Sequence, residues 1–374
     1  MKSTAVTPLS KETVAPEEVG VDPYRLDVLL RRIRLEVEHH GLPSAQVAVA
    51  RSGRLVASET FGEGAPRYLT QSVGRTVVAS AIWKLMGEGR VDPGERVADI
   101  IPEFGTNGKE AVTLAHMLTH SAGLAFAPLG FPKMTDREAR LAAFAKWRLD
   151  DPPGEVFQYH LTSTAWIIAE VVERRTGLTL AEYLRREIAE PLGLDLALGL
   201  SAEEQIATVA PMVCTDGDGS EVDPWGPWFF RERAVVAAGE PAHTVCAGAS
   251  DIALHYQALL HSPLWSREAI AEATRPHVTA VPAGDPLYGG GTKPTSVGLF
   301  VVVRGENPDG WIPATGSPET FGHGGSAYQI GFCDPRSGLS FCVLSNGYPQ
   351  KGYDLTSRGA ATITNWANLG ADLT

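Results

Sequence analysis

Strand character at both ends, with helical character between, is the feature that most narrows the fold of this chain. Ala45–Ala50 (AQVAVA) and Leu55–Ala57 (LVA) flank a Ser52-Gly53 turn and read as a hairpin. Val297–Val303 (VGLFVVV) and Leu339–Leu344 (LSFCVL) also read as strands, the second following the turn Asp334–Gly338. Between them apolar residues recur at helical spacing. Val77, Val78, Ala81, Ile82, Leu85 and Met86 form one stripe that Gly87 and Gly89 stop, and Ile167, Ile168, Val171 and Val172 form another that ends at Gly177. Thr179-x-x-Glu182 is a capping box opening a third helix before Pro191. A further helical pattern follows Val21 through Leu26, Leu29, Leu30, Ile33 and Val37.

These patterns predict an α+β fold: one antiparallel sheet built from both termini and flanked by helices, with a mainly helical lobe inserted. Residues 1–20 read as a polar leader and 21–374 as a single unit. Within it, 21–70 and 240–374 form the α/β lobe and about 90–235 the helical lobe.

Composition excludes some partners. With 32 Lys plus Arg against 44 Asp plus Glu, the formal charge is −12, which lacks the basic footprint that nucleic acid or anionic lipid requires. No apolar run approaches the length of a membrane span, and the first residues carry no signal-peptide pattern. Cys214, Cys246, Cys333 and Cys342 show no metal or redox spacing and read as reduced core thiols, so a cytoplasmic setting is expected.

Three segments carry chemistry-bearing residues. Ser72 and Arg75 lie three apart at a helix start and face one side. Pro153-Gly154-Glu155 leads through Tyr159 to the next helix, and Phe321-Gly322-His323-Gly324-Gly325-Ser326 is a glycine-rich run that permits close approach of a backbone or ligand. His116 and His120 are spaced i, i+4 on an expected helix but have no third ligand at a known spacing, so they read as structural. Trp225, Trp228, Phe229 and Phe230 crowd a Pro/Gly-containing loop that reads as the lining of an apolar pocket, a pin to the core or a dimer contact.

In this order the motifs resemble the serine β-lactamase and penicillin-binding-protein superfamily, specifically its class C-like branch of esterases and DD-peptidase-like proteins. The segment from Ser72 to Thr76 sits where that family has Ser-x-x-Lys, Thr113–Leu124 resembles its threonine–histidine segment, Tyr159 its Tyr-x-Asn motif, and His323-Gly324-Gly325 its Lys-Thr-Gly or His-x-Gly. The resemblance runs from about residue 20 to 350. It implies a β-lactamase/transpeptidase-like fold and acyl transfer through a Ser72 acyl-enzyme. The catalytic set is Ser72, Arg75, Tyr159 and His323. Oxyanion and substrate contacts fall to Ser72, Gly324, Gly325, Ser326 and Leu161, with no metal or organic cofactor; on the pocket reading of their loop, Trp225 and Trp228 are added as substrate contacts.

Two positions differ from the family's pattern. Its lysine is Arg75, which stays protonated and cannot act as a base, and its asparagine is Leu161, which cannot bond a substrate amide. The expected remedy is Tyr159 as base, its phenol acidified by the Arg75 cation. The expected function is thus a serine hydrolase or acyltransferase for a small ester or amide. The alternative is a catalytically degenerate member that binds a ligand or partner through the same cleft.

Overall fold

The computed structural model describes residues 6–215, 232–283, 293–306, 312–326, 328–348 and 358–374. Its strands are β1 (Ser44–Arg51), β2 (Arg54–Gly62), β3 (Tyr68–Leu69), β4 (Val213–Cys214), β5 (Cys246–Ala247), β6 (Val278–Ala280), β7 (Thr295–Val297), β8 (Val302–Val303), β9 (Phe321–Gly325), β10 (Gln329–Asp334), β11 (Leu339–Ser345) and β12 (Gly347–Tyr348). Eight of them form one antiparallel sheet in the order β2-β1-β11-β10-β9-β8-β7-β6. β1 pairs with β11 from Ala45↔Ser345 to Arg51↔Leu339, so strands from the two ends of the chain lie side by side, second and third from one edge of the sheet. The β1–β2 hairpin turns through Ser52 and Gly53, both with left-handed backbone (φ 53° and 76°), the geometry whose twist suits a two-residue hairpin.

Period-two alternation divides the core. Val47 and Val49 of β1, with Phe341 and Val343 of β11, face helix α1 (Pro23–His39) and Trp366 of the Arg358–Ala371 helix. Ala48, Ala50, Cys342 and Leu344 face the other way, toward the Ala249–His261 helix and helix α2 (Arg75–Gly87). Asp22 caps α1 by accepting the Tyr24 and Arg25 N–H groups. α2 is buried on every side rather than along one stripe, with Arg75 through Trp83 all buried. That makes it the central post of the helical side.

The run 297–303, expected as one strand, is two. β7 ends at Val297 and β8 begins at Val302, and between them the Gly298 N–H closes a turn on Val301 O (2.8 Å). Phe300 adopts left-handed backbone (φ 67°), its N–H donates to Leu118 O (2.7 Å), and its ring lies against His120 and Arg75. Tertiary contacts to the site override the strand propensity of the run. The first described residues are anchored: Leu9 N–H bonds Leu192 O, Val14 N–H bonds Leu55 O, and Lys11 pairs with the buried Asp251. Cys214, Cys246, Cys333 and Cys342 are buried, and among the described residues they form no disulfide. Among the described residues no helix is long and apolar enough to cross a membrane.

Candidate active site

Ser72 does not begin the α-helix but sits in a 3₁₀ turn, Gln71–Gly74, that feeds into α2. Gln71 has left-handed backbone (φ 49°), a conformation costing about 1–3 kcal/mol for a non-glycine residue and concentrated at functional sites. Contacts hold it there: its Oε1 accepts the Ser326 hydroxyl (3.1 Å), and its side chain is buried. β9 runs alongside so closely that a Cβ on Gly325 would lie 2.8 Å from Gln329 Oε1 and 3.3 Å from Gln71 Cβ. Glycine at 325 is therefore what lets the sheet edge approach the Ser72 turn. Among the described residues the N–H groups of Ser72 and Ser326 donate to no other group.

Tyr159 reaches the same place from the opposite wall. Its segment is laced to the residues after the Leu114–Leu118 helix: Gly154 N–H bonds Ser121 O (2.7 Å), Gln158 N–H bonds His120 O (2.9 Å), and His160 N–H bonds His120 Nδ1 (3.1 Å). The phenol donates to Ser72 Oγ at 3.1 Å and lies 3.4 Å from His323 Nε2. His323 Nδ1–H is committed to the Gly324 carbonyl at 2.6 Å, which leaves the lone pair on Nε2. The phenol thus has two acceptors in reach, one on each side.

Arg75 is fully buried beneath this group. Its guanidinium donates to the carbonyls of His160 (3.2 Å) and Leu161, and it stacks 4.5 Å from the Tyr159 ring centroid and 5.1 Å from that of Phe300. Burial and the Arg75 charge press the surrounding histidines toward the neutral form. His323 is pushed down to about 3 and His160 to about 4, and His120 well below the ordinary histidine value. For Tyr159, burial wins. Desolvation raises the phenol's pKa against the opposing pull of Arg75 and the Ser72 hydrogen bond, so the expected acidification by Arg75 does not occur. The resting site holds a neutral tyrosine between a neutral histidine and the serine.

Ser72, Arg75, Tyr159, His323, Gly324, Gly325 and Ser326 are thus brought together. Leu161 is half-buried and enters through its carbonyl. Trp225 and Trp228 lie outside the described residues. The His116 and His120 pair is not helical, because the helix ends at Leu118 and His120 has left-handed backbone (φ 58°). His116 Nδ1 instead accepts the Thr113 N–H (3.2 Å), while His120 serves Tyr159's segment. Sequence reasoning missed Phe300, hidden in an apparent strand, and His160, beside Tyr159. It also missed Glu240 and His243, a buried carboxylate–imidazole pair (3.1 Å) whose i, i+3 spacing in Glu-Pro-Ala-His was the available signal.

A family model for beta-lactamase matches residues 29–362. Esterase EstB of Burkholderia gladioli is 28% identical, over 82% of this chain and 86% of its own length. Esterase/beta-lactamase LipL of Mycobacterium tuberculosis (strain ATCC 25618 / H37Rv) is 26% identical, over 76% of this chain and 70% of its own. The crystal structure of a penicillin-binding-protein homologue from Caulobacter crescentus superposes with a TM-score of 0.77 at 24% identity, over 94% of this chain and 98% of that one. With the model spanning most of the chain and the fold shared end to end, this protein belongs to the beta-lactamase family.

Proposed function

We propose that this protein is a serine hydrolase or acyltransferase that acts on a small ester through an acyl-enzyme on Ser72. The observation that carries the reading is the 3.1 Å contact between Ser72 Oγ and the Tyr159 phenol at the head of α2. Relatives named as esterases support the class of reaction. An ester is favoured over an amide because Leu161 offers an apolar side chain where the family's amide-binding asparagine stands.

An ordinary tyrosine is ionised at pH 7 only at a cost of about 4 kcal/mol, and burial here adds to it. A standing phenolate is therefore not the base. In our reading the phenol oxygen accepts the Ser72 proton as its own proton moves toward His323 Nε2 only while the oxyanion forms, because an imidazole pushed down to about 3 holds no standing proton at pH 7. Ser72 Oγ then bonds the carbonyl carbon, and the displaced electron pair rests on the carbonyl oxygen, faced by the Ser72 and Ser326 N–H groups. The proton returns through Tyr159 to the leaving alcohol as the C–O bond breaks. Water or another acceptor repeats the sequence in the second half. The four buried thiols fit a reducing, cytoplasmic setting.

A second reading, a degenerate site that only binds, draws on the raised phenol and the fixed Arg75. Intact-mass spectrometry after treatment with a fluorophosphonate and a panel of activated esters separates the two. Our reading expects an adduct on the native chain, none on Ser72→Ala, and at least a hundredfold slower labelling of Tyr159→Phe. No adduct on the native chain across a range of pH overturns it.

A further inference from the structure

Gln71 adopts a left-handed backbone (φ 49°) that glycine takes without strain, so what a glutamine adds at this position is its side chain. That side chain is completely buried, and a buried amide is costly unless it is bonded. Its oxygen accepts the Ser326 hydroxyl at 3.1 Å, and its nitrogen approaches Met212 Sδ, a weak acceptor, at 4.0 Å. The stronger of these bonds ties the Ser72 turn to the end of β9 across 255 positions of sequence.

The strained residue is held from both sides. Gln329 Nε2 donates to Leu69 O and Ser345 O, each at 2.8 Å. Thr70 is bonded to Val245 O through its N–H (2.9 Å) and its hydroxyl (2.8 Å), and the Val73 N–H returns to Thr70 O (3.0 Å). Gln329 also pairs with Gly325, so the side chain that pins the approach to Gln71 comes from the strand pair that presents Ser326. A backbone fixed at so many points keeps a conformation it does not favour on its own.

We propose that Gln71 is a positioning residue that sets both donors of the oxyanion site. The Ser72 N–H belongs to the planar peptide that Gln71 begins, so the backbone of Gln71 aims the first donor. Its amide oxygen tethers Ser326, whose N–H is the second donor, and the Ser326 hydroxyl serves this tether and not the substrate. Two donors stabilise an oxyanion only when both stand about 2.7–3.1 Å from one point, and a displacement of about half an ångström spoils that geometry. This inference rests on the serine-hydrolase reading above.

The test uses Gln71→Asn, Ser326→Ala and the double variant, with p-nitrophenyl acetate as the probe and active sites counted with a fluorophosphonate. Asparagine tolerates the left-handed backbone and keeps an amide, but it is one methylene too short for Ser326. Alanine at 326 removes the hydroxyl and keeps the N–H. Each single variant should lower kcat about tenfold with KM within about twofold of native, because the oxyanion forms only beyond the ground state. The double variant should be about as slow as either single one, since both remove the same bond. Losses that multiply to about a hundredfold, a loss carried by KM, or single variants at the native rate overturn the proposal. Hydrogen–deuterium exchange of residues 321–330 reads the tether without turnover: each single variant should speed it about fivefold and the double variant no further. Unchanged exchange overturns the proposal. Faster exchange with Ser72 labelled in none of the proteins, native included, is the outcome that defeats the hydrolase reading alone.

Discussion

Acidification tests the electrostatics of this molecule most directly. His160, His255 and His323 are fully buried, with pKa values pushed down by burial to about 4, 3 and 3. Each ring stays neutral in the folded chain, whereas an unfolded ring takes up a proton once the pH falls below about 6.5. The unfolded state then binds more protons, so stability falls as pH falls, from about 6.5 down to each folded value. At pH 5 each ring has lost about 1.36 kcal/mol for each of about 1.5 pH units, or about 2 kcal/mol, and the three together about 6 kcal/mol. That is a large share of the 5–15 kcal/mol that typically holds a domain together. His120 and His243 push the same way. The carboxylates held below their usual range, among them Glu103 and Glu272, lose stability only at lower pH, below about 4.5, so the window above pH 5 belongs to the histidines. Urea unfolding followed by tryptophan fluorescence at about pH 7.5, 6.5, 5.5 and 5 measures the loss. His255 lies away from Ser72, against Ser80 and Trp265, so His255→Gln isolates one ring. Its slope of stability against pH should be shallower than native by about 1.4 kcal/mol per pH unit. A native midpoint that is flat between pH 7 and 5, or an unchanged slope in the variant, refutes the reasoning.

Four other outcomes are expected. Arg75→Met leaves the buried His160 and Leu161 carbonyls without their charged donor, lowering stability by about 3–5 kcal/mol in urea melts. Gly322→Ala places a Cβ 2.1 Å from Gly331 O, so β9 and β10 must separate; we expect a loss of more than about 2 kcal/mol or failure to accumulate as folded protein, read by circular dichroism. His323→Phe keeps ring volume but removes the Nε2 acceptor, and Ser72 labelling should slow by at least tenfold at unchanged melting temperature. Ellman's reagent should find no fast thiol in the native chain and four after denaturation.

Much of this was legible in the sequence because it depends on local pattern. The β1–β2 hairpin, the Gly177 helix end and the Thr179–Glu182 capping box follow from period, backbone preference and side-chain reach, and the structure contains all of them. The Ser72, Tyr159 and His323 segments were found because their motifs are contiguous. What was missed depends on the environment. Whether Arg75 acidifies Tyr159 is a contest between a cation and burial, and no spacing reveals how dry the site is. Phe300 looked like strand because its partners, Arg75 and His120, are more than a hundred positions away. Glu240 and His243 looked like any polar turn until their complete burial was known.

The pairing of β1 with β11 has a consequence for synthesis. Ala45 meets Ser345, 300 positions later, so the first hairpin waits for almost the whole chain before its open edge is covered. At about 5–20 residues per second that wait is roughly 15–60 seconds on the ribosome. Throughout it the bare edge of β1 is available to any other extended chain, which marks this stretch as the place where a chaperone would act. The Ser72 turn leans on β9, so no truncated product that stops short of β9 can carry a working site. On the proposed function, labelling of Ser72 would therefore report completed folding.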